Sequence, residues 1–478
     1  MRMNPSRLSC CMVLFFVIFT VCALGVHQEW SKTFGGDFGD GAWSLQRSND
    51  GGYIIAGYTC SLGKGGDLWL VKMDENGTEQ WNRSFGGSGE DVGYYVKQTM
   101  DGGYIVVGST KSYGLGEERL WLLKVDSNGN REWDRTFGGF VSSSGDGGWS
   151  VDTAEDGYII AGYTKSFGAG GKDLWLIKTD LQGRAQWQRT YGGLKDDVGM
   201  SVIKTHDNGY IVAGRTASFG SGGDDIWLLK VGPEGIEQWN RTFGEDKDDV
   251  AFQVIELEDG YILTGRTEIR EAKRAFLLKT DFRGVKKWEK TYGQESSGIS
   301  VQRTGDGGFI VAGSTETPGA GKDALLIKTD SSGKEQWIMP LGGKGDDVGT
   351  AVVESADGGY ILAGITSSFE AETEDVWLTK IIADDLSENA TRNATEIAAM
   401  ENALINTSDI TIANPKSTDI ENADIENADN ENADTKNVDT DNSNIESANT
   451  AITAKSMSIP RLEGHSILAP PAFFKKQK

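Results

Sequence analysis

The chain has 478 residues, with 71 Asp and Glu against 47 Lys and Arg, a formal net charge of -24. An excess of acid this large argues against nucleic acid and anionic membrane surfaces as partners, because both attract basic proteins. Only 4 cysteines and 3 histidines are present, which leaves no Cys/His cluster for zinc or thiol redox chemistry.

In chain order, residues 1–27 stand apart. MRMNPSR carries two arginines and is followed by the apolar run CCMVLFFVIFTVCALG, with small Ala23 and Gly25 near its end. This is the layout of a secretory signal peptide; an uncleaved membrane anchor is the alternative, although the run is short for a span of roughly 20 residues. Cys10, Cys11 and Cys22 all lie in this leader, so the body keeps only Cys60 and has no intrachain disulfide. Asn-x-Ser/Thr acceptor sites at Asn76, Asn82, Asn240, Asn389, Asn393 and Asn406 agree with export and mark possible glycosylation.

From residue 29 the sequence repeats itself. DGGYIIAGYT at 50–59 returns as DGGYIVVGST at 101–110, then as DGYIIAGYT, DNGYIVAGRT, DGYILTGRT, DGGFIVAGST and DGGYILAGIT. Each unit of about 50 residues contains four short runs rich in β-branched and aromatic residues, bounded by Gly, Asp or Asn, and no helical period. In the unit from 187 to 239 these are WQRTY, VGMSVIKT, YIVAGRT and DIWLLKV. Four strands per unit predict the blade of a β-propeller, whose faces are buried only by stacking on neighbouring blades.

The two ends of the array predict how it closes. A Trp strand precedes each DGGYI unit, at Trp30, Trp81, Trp133, Trp187, Trp239, Trp288 and Trp337, and the last unit stops after DVWLTKI without one. The first Trp strand therefore completes the seventh blade, giving an all-β, seven-bladed propeller over residues 28–382 with no open sheet edge. Trp69, Trp121, Trp175, Trp227 and Trp377 on the third strands, with the outer-strand Trp, are expected to pack between blades. DGG is expected to be a two-residue hairpin turn, and Gly57 to make room for a neighbouring blade or a Trp.

Function is then expected in the loops of one face. The loops leading into the inner strands are expected to place an acid at the mouth of the channel in six blades, Asp40, Asp91, Asp146, Asp197, Asp249 and Asp347, while the sixth blade breaks the ring with Ser296 and Ser297. Carboxylates with carbonyls of Gly-rich turns suit calcium, which is bound weakly outside cells; the alternative is that each Asp accepts hydrogen bonds from its own turn. The loops between second and third strands are nearly uniform in blades 1–4 and diverge in blades 5–7, where Arg270, Lys273 and Arg274 put basic residues on an acidic protein. They are the candidates for partner binding; drift in a duplicated array explains the same pattern.

Catalytic motifs are lacking. His27, His206 and His465 form no recognisable Ser/His/Asp or Cys/His arrangement. The pairs Gly63-Lys64, Gly171-Lys172 and Gly321-Lys322 lack the spacing of a phosphate loop, so no organic cofactor is expected. Residues 383–478 change composition to runs such as ENADIENADNENAD, which read as an acidic spacer with too little to bury, or as degenerate pentapeptide repeats over 401–450.

The combination W-x-(R/K)-(T/S)-(F/Y)-G-G, D-G-G-(Y/F)-I-(V/I/L)-(A/V)-G-x-T and D-x-W-L-(L/I)-K-(T/V)-D-x-x-G over residues 29–382 resembles secreted and cell-surface β-propeller repeat proteins of methane-producing archaea and some bacteria. That resemblance implies surface exposure and a binding or scaffolding role. KTDSSGKEQW at 328–337 is also similar to the tryptophan-docking repeat of quinoprotein dehydrogenases, but the chain has seven units and no vicinal cysteines in its body. The expectation is an exported, monomeric module that recognises an extracellular protein or glycan and is not an enzyme. A structural envelope component and a glycan-active or quinone-dependent enzyme are the alternatives.

Overall fold

The computed structural model describes residues 25–63, 65–114, 117–139, 145–317, 321–369 and 373–383. The leader up to residue 24, the acidic tail and the acceptor sites Asn389, Asn393 and Asn406 lie outside the described residues. All regular structure in them is strand, in seven four-stranded antiparallel sheets. In the third sheet, for example, the inner strand Asp146–Ala154 pairs with Gly157–Thr164, then Asp173–Thr179, then the outer strand Ala185–Tyr191. The chain is a seven-bladed β-propeller.

Closure follows the pattern of the ends. The first strand, Val26–Phe34, lies against the last, Asp375–Ala383, in antiparallel register from Val26 opposite Ala383 to Phe34 opposite Val376. Trp377 Nε1 donates to Ser31 Oγ at 2.7 Å and Thr379 Oγ1 to the Trp30 carbonyl at 2.8 Å. The closing pair is wider than residues 28–382, because Val26 and His27 already pair, with Ala383 and Ile382.

The second strands explain why the repeated ten letters are so apolar. YIIAGYT at Tyr53–Thr59 is buried along its whole length, since both faces of a middle strand are covered by adjacent blades. One packing unit combines Ile54, Ala56, Leu68 and Leu70 of blade 1 with Val96, Tyr104, Val106 and Trp121 of blade 2. Third-strand Trp121, Trp175 and Trp377 are buried; each such side chain contributes roughly 2–3 kcal/mol. The outer-strand Trp are half-buried and lean on the next blade's repeat tyrosine, as Trp81 on Tyr104 at 6.1 Å and Trp337 on Tyr360 at 5.9 Å.

Gly57 has a different cause from the one expected. Each inner strand carries a β-bulge: pairing runs from Ala42 opposite Gly57 to Ser44 opposite Ala56 and skips Trp43. The bulge presses the inner strand onto its partner, so that a Cβ at Gly57 would lie 1.8 Å from the Gly41 carbonyl oxygen. The glycine accommodates its own blade's inner strand, not a neighbour.

The DGG turn also differs. In blade 1 the Gly51 amide donates to Ser48 O and the Ser48 amide to Gly52 O, with Gly51 in the left-handed region at φ 89°. This is a type I-like turn followed by a left-handed residue, one step longer than a two-residue turn. Only blades 3 and 5, which lack one residue here, close with two residues, as Ala154 opposite Gly157 shows. The Asp of the turn is held by an ion pair. The lysine ending each third strand reaches back to it, as in Lys72–Asp50 at 2.8 Å, Lys178–Asp156 at 2.8 Å and Lys328–Asp306 at 2.7 Å.

Candidate functional site

The loops leading into the inner strands and those between second and third strands share one end of the ring. Ser61 Oγ, between second and third strands, donates to Asp40 Oδ2 at 2.7 Å, and Ser166 Oγ does the same to Asp146 Oδ2 at 2.6 Å. The Lys–Asp turns occupy the opposite end, with His206, whose Nδ1 lies 2.6 Å from Glu256 Oε1.

The six lead-in acids do not open into the channel. Asp40, Asp91, Asp146, Asp197, Asp249 and Asp347 are at most 1 % exposed. Their carboxylates accept from an amide of the lead-in turn, as from Gly87 at 3.0 Å and Gly343 at 2.8 Å, and, in all but Asp40, from a second-strand threonine, as from Thr164 at 2.5 Å; Asp40 Oδ1 is buried without a donor among the described residues. They begin the inner strand with their side chains turned into the blade top, which is the own-turn arrangement. Among the described residues no group of three or more His, Cys, Asp or Glu side chains converges in a way that could hold a metal.

Arg270, Lys273 and Arg274 do not form one basic patch. Blade 5 has a tight hairpin here, Ile269 opposite Ala272, with Arg270 and Glu271 at its tip at φ 51° and 66°. Arg270 is exposed. Lys273 and Arg274 are consecutive on one strand and therefore point to opposite faces; Arg274 turns inward, and its Nη1 donates to the Gly293 carbonyl at 2.8 Å. Of the acceptor asparagines, Asn76 and Asn240 are exposed and Asn82 is half-buried, with its Nδ2 donating to Glu79 at 2.6 Å.

The structure draws attention instead to the channel. The seven residues skipped by the bulges, Trp43, Tyr94, Trp149, Met200, Phe252, Ile299 and Thr350, sit at one level of the inner strands. Three of them form a continuous aromatic wall. Tyr94 lies 6.1 Å from Trp43 and 4.5 Å from Trp149, centroid to centroid. Trp43 Nε1 and Trp149 Nε1 are buried and have no acceptor among the described residues.

Buried polar side chains also stand on the second strands. Immediately before the second-strand threonine come Tyr58, Tyr163, Arg215 and Arg266, all under 9 % exposed. Tyr163 donates to Glu118 Oε2 at 3.3 Å, and Lys172 Nζ lies 4.1 Å from the Tyr163 ring centroid. Burial first, then Arg215 and Lys165, lower the ammonium pKa of Lys172. Arg215 is paired with Asp224. The pKa of Arg266 is also lowered by burial, and its Nε has no acceptor among the described residues. None of these residues stood out in sequence, since their positions look like ordinary variation inside the repeat. The available signal was the unusual pair of arginines in AGRT and TGRT.

No protein-family model matches the chain, and no curated protein matches it. Among solved structures, it is similar to the WD40 β-propeller domain of Doa1, at 13% identity over 76% of this chain and 99% of that one, with a TM-score of 0.47. It is also similar to Chaetomium thermophilum Sqt1 bound to the N-terminus of ribosomal protein L10, at 10% identity over 74% and 98% of the chains, TM-score 0.43. The periplasmic gluconolactonase PpgL of Pseudomonas aeruginosa matches at 11% identity over 69% and 95%, TM-score 0.43.

Proposed function

We propose that this protein is an extracellular binding module that takes a glycan segment at the loop-bearing end of its channel. The observation that carries the reading is that Trp43 Nε1 and Trp149 Nε1 of the aromatic wall, and Arg266 Nε, are buried donors without acceptors among the described residues; Trp69 Nε1 and Trp227 Nε1 on the third strands share that state. A buried donor left unmatched costs about 1–3 kcal/mol, so a ligand rich in acceptor oxygens gains by supplying them. The aromatic wall of Trp43, Tyr94 and Trp149 offers flat apolar faces for sugar rings, and Arg266 favours a sugar bearing a carboxylate. The leader composition and the acceptor asparagines support an exterior location. Catalysis is not part of the proposal.

The test is an oligosaccharide array probed with the full chain, followed by titration of the best ligand. Trp149→Phe keeps one aromatic ring and removes the N–H; it is expected to weaken binding about tenfold, the equivalent of one hydrogen bond, while the protein remains folded by melting. Absence of any saturable glycan would end this reading in favour of a structural envelope component. Capture of a protein that is lost in Arg270→Glu would move recognition to the blade 5 hairpin.

A further inference from the structure

At the loop-bearing end, each blade meets the next through a repeated pair of positions: the third-strand residue opposite the second-strand threonine, as Asp67 is opposite Thr59 and Asp323 opposite Thr315, and the residue that begins the following inner strand. At five junctions both are aspartates, Asp67 with Asp91, Asp173 with Asp197, Asp225 with Asp249, Asp323 with Asp347, and Asp375 with Asp40. The first glycine of each intervening turn lies against both carboxylates. A Cβ built on Gly86 would stand 2.1 Å from Asp67 Oδ1 and 2.6 Å from Asp91 Oδ2; on Gly244, 2.6 Å from both Asp225 Oδ1 and Asp249 Oδ2. The two oxygens of a pair are thus within the span of one bridging ion that sits roughly 2.3–2.6 Å from each.

Two further observations point to a cation. Asp67 is 6 % exposed, and its Oδ1, aimed at Asp91, is buried with no donor; Asp375 Oδ1, aimed at Asp40, is likewise buried without a donor. Burial of a bare carboxylate oxygen beside a second carboxylate is costly unless positive charge is supplied. The other two junctions supply it from the chain. At the position of Asp67, blade 2 has Arg119 and blade 5 has Arg274, as the register shows: Thr59 opposite Asp67, Thr110 opposite Arg119, Thr267 opposite Arg274. Arg119 Nη2 donates to the carbonyls of Gly138 and Gly139 at 3.3 and 2.8 Å, and Arg274 Nη1 to Gly293 at 2.8 Å. These carbonyls belong to the same glycine turn that separates the aspartates elsewhere, so the turn presents oxygens to whatever carries the positive charge.

We infer that the five Asp–Asp junctions are inter-blade sites for a hard divalent cation of the calcium class, and that Arg119 and Arg274 are its built-in replacements at the other two. Each site offers one carboxylate from each blade, hard oxygen donors of the kind calcium takes. Raised carboxyl pKa values at Asp67, Asp173, Asp225 and Asp375, from burial and the facing acid or acids, agree with sites that call for a counter-charge. The inference is independent of glycan binding at the channel.

The experiment uses the full chain stripped with EDTA and titrated with calcium alone, read by calorimetry, melting temperature and terbium luminescence sensitised by tryptophan. About five calcium ions per chain and a rise of several degrees in melting temperature are expected. Asp67→Asn should remove one ion from the count. Asp173→Arg, which copies the Arg119 junction, should also remove one ion yet melt at or above the wild type in EDTA, an outcome that a merely destabilising substitution would not give. Absence of calcium binding at millimolar concentration, or a count unchanged in both variants, would overturn the inference. So would an EDTA-treated protein that gains stability on mild acidification while ignoring calcium at every pH, since the pairs would then share a proton.

Discussion

Lys328 and Asp306 lie at opposite ends of a hairpin in sequence and 2.7 Å apart in space, with Nζ also donating to Thr329 O at 3.0 Å and Gln336 Oε1 at 3.1 Å. The ammonium is buried and the carboxylate half-exposed, so the lysine is the member that depends on the pair. The same arrangement ties the first turn of every blade to the end of its third strand, through Lys124–Asp101, Lys230–Asp207, Lys279–Asp259 and Lys380–Asp357 in the blades not named above.

Asp306→Ala leaves that ammonium with only neutral acceptors. A loss of about 1–3 kcal/mol is expected, measured as a shift in denaturant midpoint without a change in slope. Lys328→Met, which removes the buried charge itself, is expected to cost less than Asp306→Ala. The reverse order would show that the pair matters through the aspartate's turn alone.

The pH dependence of stability has two opposed parts. Asp207, Asp306 and Asp357 are held down to about 2 from an ordinary 3.8; burial opposes the shift at Asp207 and Asp306, and hydrogen bonds to the lysine and to a threonine or serine outweigh it. Their folded form binds protons less readily, so their contribution is present above 3.8 and lost as pH falls toward 2. Asp225 and Asp375 are pushed up to about 6 from 3.8 by burial and the facing acid or acids. Their contribution is complete below 3.8 and lost as pH rises through about 6. In EDTA the melting temperature should therefore peak between those limits and fall on both sides; a monotonic rise from acid to neutral pH would contradict the raised values.

Gly313→Ala tests the bulge. Its Cβ would meet the Ser297 carbonyl oxygen at 1.7 Å, backbone against backbone in a paired strand. Relief requires the inner strand to move, and a loss of about 3 kcal/mol or more is expected. Gly307→Ala, where nothing lies within 4 Å but φ is 81°, should cost only about 1 kcal/mol from backbone strain. Thermal melts of the two variants give the comparison.

Removing the first strand, residues 26–34, leaves blade 7 with three strands and exposes the edge of Asp375–Ala383. The truncated chain is expected to melt lower and to self-associate through that edge. Trp377→Phe, which keeps one aromatic ring, releases Ser31 and leaves a void in a fully buried site, should lower stability by about 1–3 kcal/mol. An unchanged melt after truncation would mean that the ring closes without its first strand.

What the sequence determined by itself was the number of blades, the four strands in each and the way the ends join. These follow from period, from the alternation of apolar runs with turn residues, and from the unmatched Trp strand at Trp30, all of which are local. What only the tertiary structure decided was where side chains of different blades meet. The lead-in aspartates read as a ring at the channel mouth because each begins an inner strand; in space each is turned into the blade top, where five of them face an aspartate of the preceding blade, as Asp91 faces Asp67, and Asp146 follows Arg119. Lys273 and Arg274 read as one patch because they are adjacent in the chain, yet strand alternation separates them. The aromatic wall of Trp43, Tyr94 and Trp149 was hidden because a bulge, which no local preference of those residues announces, is what brings them together on the channel. Period is a property of the chain, whereas a site between blades depends on the ring having closed.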